Sequence, residues 1–212
     1  MTKRTFGFDT TTLATVKPLL DEGIYTGTMV GASIVGKENK QHIAIVKETI
    51  WNMNSKAFEE TGDYIIEGSL YFGVALDDPK AVQQLQQDEP RVYGGRIRLE
   101  TDKETCGMKK SHVLGAFLDA LGLMGINFNE AVDFDFNEDI EIPEEYADVP
   151  NIVTMLNSLE FQRSMYGIIC ESANNTPVRV HVLKQANYKT KEIENVINTG
   201  NYGSFCGILA AE

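Results

Sequence analysis

The chain has 212 residues, of which 42% are hydrophobic and 24% charged. These values belong to a folded globular protein of about one domain and exclude disordered, collagen-like and disulfide-scaffold classes. With 19 basic against 31 acidic residues the formal net charge is -12, which disfavours a simple polybasic nucleic-acid binder.

The opening Met-Thr-Lys-Arg-Thr-Phe-Gly leads into no apolar run of signal-peptide length, and no apolar run is long enough for a bilayer span. A cytoplasmic, non-membrane protein is therefore expected. Cys106, Cys170 and Cys206 are odd in number and far apart. They fit neither a zinc ribbon nor a redox pair, and read as small buried or half-buried thiols.

The first twenty residues are polar and Thr-rich. Residues 23–35 alternate, with Ile24, Val30, Ala32 and Ile34 expected on one face, and predict a strand. After a turn at 36–41, residues 42–52 predict a second strand, and the two are expected to pair as a hairpin. Residues 63–76 carry Tyr64, Ile66, Leu70, Phe72, Val74 and Leu76 on one face, with Gly68 marking a bulge or bend. Asp78-Pro79 opens a short helix, since Asp caps well and Pro suits the first helical position. Residues 91–100 return to strand alternation, with Tyr93, Ile97 and Leu99 against Arg96 and Arg98. A helix at about 110–122 buries Leu114, Phe117, Leu118 and Leu121, and Gly122 stops it.

Residues 129–148 differ in kind. They hold nine acids and no base, and so account for most of the net charge. A helix is expected at 150–162 and strands at 165–171 and 177–184, the last with Val178, Val180 and Val182 inward. The tail from 189 is compatible with helix, with Gly200 and Gly203 as breakers. This order lacks a βαβ rhythm. It predicts a mainly β chain with helical insertions (α+β): an OB-like antiparallel β-barrel of five or six strands, one domain over 1–212 with an acidic loop insertion at 129–148.

Strict alternation assigns the non-core face once the apolar face is chosen. With Ala44, Val46 and Ile50 inward, Lys47 and Trp51 point outward, joined by Tyr71, Arg96, Arg98, Arg179 and His181. Among the strand acids only Glu48, Glu67 and Glu100 compete, and Glu48 falls in the inward register. Aromatic plates between cations suit single-stranded nucleic acid, whose bases stack on rings while Arg and Lys meet the phosphates. The alternative is that Trp51 and Tyr71 pack under helices; Ile43 and Ile45 share a side with Lys47 and Trp51, so that strand is open to cover on both faces.

Three segments carry a resemblance. DEGIYTGTMVGASIVGKENKQHIAIVKETI resembles the first hairpin of phage-encoded single-stranded-DNA-binding proteins with an OB fold. KKSHVLGAFLDALGLMGINF resembles the helix between their middle and last strands, and MYGIICESANNTPVRVHVLKQANYKTKEIENVI their last hairpin. The resemblance spans roughly residues 20–200. It implies a non-catalytic protein, without metal or cofactor, that protects single-stranded DNA in phage replication or recombination inside an infected bacterium. Carried over by position, its DNA-facing residues are Lys47, Trp51, Tyr71, Arg96, Arg98, Arg179, Lys184 and Tyr188. Such proteins often end in an acidic tail that recruits replication or recombination partners. Here the C-terminus is apolar, and the resemblance implies that the internal acidic run does that work or shields the empty groove. The oligomeric state is left open, a homo-oligomer included.

Other chemistry is weaker. Asp133, Asp135, Asn137, Asp139, Glu141 and Glu144 echo a calcium loop, but its sixth position holds Glu138 where the turn needs Gly. His42, His112 and His181 have no ligand at metal spacing, and neither a Walker loop nor a nucleophile elbow occurs. The competing class is a phage structural or assembly protein using the Trp51 face and the acidic run for protein contacts. A nucleic-acid enzyme would need carboxylates gathered around a metal from separate strands.

Overall fold

The computed structural model describes residues 18–34, 43–86, 90–109, 111–199 and 207–211. The predictions for the Thr-rich start, the turn at 36–41, His42 and Cys206 lie outside them. The strands are β1 (Gly23–Ser33), β2 (Ile43–Asn52), β3 (Ala57–Leu76), β4 (Arg91–Thr101), β5 (Met108–Lys109), β6 (Pro177–Ala186), β7 (Ile193–Ile197) and β8 (Ile208–Ala210). The helices are α1 (Pro79–Leu85), α2 (His112–Ala120), α3 (Phe128–Ala131) and α4 (Ile152–Ala173), with a short 3-10 turn at Glu144–Tyr146. All strand pairs are antiparallel, in the order β5-β4-β3-β1-β6-β7, with β2 added on β3 and β8 on β6. The sheet curls until β7 approaches β4. This is a mostly β, barrel-like half-barrel with helices against its inner face. Among the described residues no helix is long and apolar enough to cross a membrane.

The core follows the strongest predicted stripes. Ile66, Leu70, Phe72, Val74 and Leu76 of β3 are buried, as are Tyr93, Ile97 and Leu99 of β4 and Val178, Val180 and Val182 of β6. Helix α2 covers them with Leu114, Phe117 and Leu118, and the Phe117 ring lies 5.3 Å from that of Phe72. Gly95 is fixed by this packing, because a Cβ there would fall 2.1 Å from the Phe72 ring. Asp78 caps α1 by accepting from the Lys80 N–H, with Pro79 first in the helix, and Gly122 ends the α2 segment at φ +70.

Several expectations are corrected. Residues 165–171 are not a strand but the second half of α4. Its buried stripe runs without interruption through Ile152, Met155, Leu159, Gln162, Met165, Tyr166, Ile169 and Ala173, a helical period that outweighs the β-branched pair Ile168-Ile169. The stretch 42–52 does not pair with 23–35. β1 lies between β3 and β6, and β2 forms its hairpin with β3, which begins at Ala57 and not near 63. On β1 the inward residues are Tyr25, Gly27 and Met29, while Ile24 and Val30 are exposed. An irregularity between Met29 and Gly31 changes the register, so that Ala32 and Ile34 turn inward as expected. On β2, Ile43 and Ile45 are buried, and Val46 and Ile50 are exposed. Gly68 marks no bulge, since its pairing with Leu99 is regular. The ambiguous tail contains a strand, β7.

The acidic segment is pinned in place. Asn157, buried on α4, accepts from the Asn137 N–H at 2.7 Å and donates to the Asn137 and Val153 carbonyls at 3.0 and 2.8 Å. Phe134 meets the Phe161 ring, and the Tyr146 hydroxyl donates to the Ile45 carbonyl. All nine acids remain exposed. Replacing Asn157→Ala leaves both Asn137 backbone groups short of a partner. It is expected to cost about 1–3 kcal/mol in urea unfolding and to speed amide exchange selectively around residues 134–140.

Candidate functional site

The outer face is built by the pairing of β3 with β4. Burial of the even-numbered β3 residues from Ile66 to Leu76 sends Ile65, Glu67, Ser69 and Tyr71 the other way. β4 pairs so that Tyr71 sits opposite Arg96, Ser69 opposite Arg98 and Glu67 opposite Glu100. The Arg96 guanidinium lies over the Tyr71 ring, 5.9 Å from its centroid, and its Nε donates to the buried Ser69 hydroxyl at 2.8 Å. Arg98 donates to the Glu67 carboxylate at 3.3 Å.

A second feature frames this face. Beyond Lys47 the β2–β3 ladder is irregular: Lys47 pairs with Tyr64 but Thr49 pairs with Glu60, and Gly62 takes φ +89, where a side chain would be strained. The hairpin past this bulge forms an arm. The bulge turns the arm so that Phe58 lines an open groove of about 700 Å³ together with Glu48, Ile65, Glu67, Arg96 and Arg98. Trp51 pairs with Phe58, with ring centroids 5.1 Å apart and edge-on. Trp51 is 49% exposed.

Of the eight predicted residues, Arg96 and Arg98 line the groove, Tyr71 adjoins it through Arg96, and Trp51 adjoins it through Phe58. The other four do neither. Lys47 leaves the predicted outward set, because its partner Tyr64 shares the side of buried Ile66, and Glu60 holds its ammonium at 3.0 Å. Arg179 does point outward, but from β6, three strands from Arg96, where its Nε donates to the Ala210 carbonyl at 3.0 Å. His181 shares that outward register on β6, opposite Ile24. Lys184 is held by Asp21 at 3.2 Å, and Tyr188 lies in the exposed turn after β6 with Lys189 5.4 Å over its ring. Phe58 was missed because the segment before residue 63 has too little alternation to read as strand.

The acids matter as much as the cations. Glu48 is nearly buried in the groove wall, bonded to Lys103 at 2.5 Å and to the Thr61 hydroxyl at 3.1 Å. Lys103 holds its carboxyl below the ordinary glutamate range, with Thr61 helping and burial opposing. The groove thus joins two guanidiniums and exposed rings, which can bind anions and stack planar groups, to two carboxylates. Elsewhere, Cys106 and Cys170 are free thiols, and burial pushes Cys170 up to about 11. Among the described residues no group of three or more His, Cys, Asp or Glu is placed to hold a metal ion. Comparison with models of known protein families, with curated proteins and with solved structures returns no match.

A carboxyl whose pKa is lower in the folded than in the unfolded chain stabilises the fold above the ordinary glutamate range, and that contribution disappears as pH falls through the folded pKa. The melting temperature should accordingly fall on acidification below that range. Glu48→Gln should be less stable than the parent at neutral pH and should show a shallower acid decline in thermal melts at matched ionic strength.

Proposed function

We propose that this protein binds single-stranded DNA without catalysis, in phage replication or recombination, through the groove between the β2–β3 arm and the β3–β4 face. The observation that carries the reading is a groove lined by Phe58, Arg96 and Arg98, with the exposed Trp51 ring against Phe58 and the Tyr71 ring against Arg96. Rings of this kind hold bases with little regard to sequence, about 1–3 kcal/mol per stacked base. Guanidiniums beside them match phosphate oxygens two at a time. The acidic balance does not oppose this, since most of the net charge sits in the segment pinned to α4. On the same reading that segment offers its exposed carboxylates to replication or recombination proteins. The phage setting rests on the resemblance of the three segments quoted above.

A second reading, a phage structural or assembly protein, is favoured by one feature: Ile50 and Met53 on the arm are exposed apolar side chains that DNA does not need. Salt separates the two, because phosphate contacts weaken log-linearly with salt and an apolar protein interface does not.

Trp51 is the only tryptophan in the chain, so its fluorescence reports on the arm beside the groove, against Phe58. Oligo-dT is expected to quench it at low salt, with affinity falling steeply across a salt series. In anisotropy titrations with labelled oligo-dT, Tyr71→Ala should weaken binding by about 1–3 kcal/mol. Arg96→Ala should also reduce the salt slope by about 0.7. Absence of both quenching and gel retardation at low ionic strength would sink the reading.

A further inference from the structure

The two groove arginines are held in different ways. Arg96 and Arg98 stand two residues apart on the same face of β4, roughly 7 Å along the strand. That is about twice the ~3.4 Å rise per nucleotide of a stacked strand, a fit to the phosphates of an extended one. The described partners of Arg96 are neutral, the Ser69 hydroxyl and the Tyr71 ring. They orient its guanidinium without cancelling its charge. Arg98 is tied to a carboxylate, Glu67, at 3.3 Å.

We infer that Glu67 is an autoinhibitory brake on the groove, occupying on Arg98 the place a strand phosphate would take. This rests on the single-strand reading above. Glu48 is already engaged by Lys103 and Thr61 on the groove wall, and Glu100 stands directly opposite Glu67 on β4. Glu67 thus adds charge where carboxylates are already crowded, and Arg98 is its one ion-pair partner among the described residues. An entering phosphate must displace this carboxylate and then remain beside it. Both side chains are well exposed, so the tie is weak enough to yield. It lowers affinity without closing the site, and on release of the strand the carboxylate returns to Arg98.

The test compares the full chain with Glu67→Gln, Arg98→Ala and the double variant, using labelled oligo-dT and oligo-dC at low and moderate salt. Circular dichroism and melting serve as folding checks. The brake predicts three- to tenfold tighter oligo-dT binding by Glu67→Gln at low salt, a gain that shrinks as salt screens the charge. It also predicts a gain below twofold in the Arg98→Ala background, since the effect runs through that residue. If the parent binds and Glu67→Gln binds no tighter, the inference is overturned. An equal gain with and without Arg98 overturns it too, as a general charge effect. A selective loss on oligo-dC overturns it in favour of a carboxylate that accepts from a base amino group. A parent that binds neither oligonucleotide defeats the single-strand reading itself, a separate failure.

Discussion

The hydrogen-bond register of β3 is the constraint on which the rest of this molecule depends. Its 20 residues would span roughly 65 Å if straight. One edge serves two strands, β2 along the first half and β1 along the second, while β4 runs along the other. Five large apolar side chains from Ile66 to Leu76 face inward, and burying each is worth roughly 1.5–3 kcal/mol. A slip of one residue would turn all five outward, a loss of order 10 kcal/mol. No exposed ion pair, at about 0–1 kcal/mol, can compete. The groove is therefore set by the core: Glu67, Ser69 and Tyr71 point outward because their neighbours cannot.

The edges are managed with side chains. β2 would present unpaired carbonyls beside α4, but Arg163 donates to the Ile43 carbonyl at 3.1 Å and Tyr146 to that of Ile45. An edge capped in this way is a poor template for another strand. The same Tyr146 closes the acidic segment, so one contact both protects the sheet and fixes where the negative charge is held. Charges on the surface are similarly local. Lys47, Arg98, Lys103 and Lys184 each sit against a carboxylate, whereas Arg96 is oriented by a hydroxyl and a ring. Pairings of this kind make the net charge a poor guide to the potential at any one place.

Where one face of a strand is decisively apolar, its outward residues could be read directly from the sequence, and Tyr71, Arg96, Arg98 and Arg179 all point outward as alternation requires. β2 is different. Ile43 and Ile45 compete with Ala44, Val46 and Ile50, and only the packing of α4 and the pairing with Ile66 and Gly68 choose between them. Trp51 comes beside the groove by another route, through Phe58 on the arm beyond the irregular ladder near Gly62. Local pattern also misread residues 165–171, because a β-branched pair looks like strand until the stripe is followed over all 22 residues of α4.

By itself, then, the sequence determined the mostly β character, the inward faces of β3, β4 and β6, the cap of α1 and the segregation of acid into residues 129–148. Each is a local matter of period, capping or composition. Only the tertiary structure decided that β1 lies between β3 and β6, that Trp51 meets Phe58 beside Arg96 and Arg98, and that Lys47, Lys184 and Tyr188 lie apart from them. Those are questions of which strand edge meets which and where a ladder slips. The answer comes from the free energy of burying all the faces at once, a quantity no single segment carries.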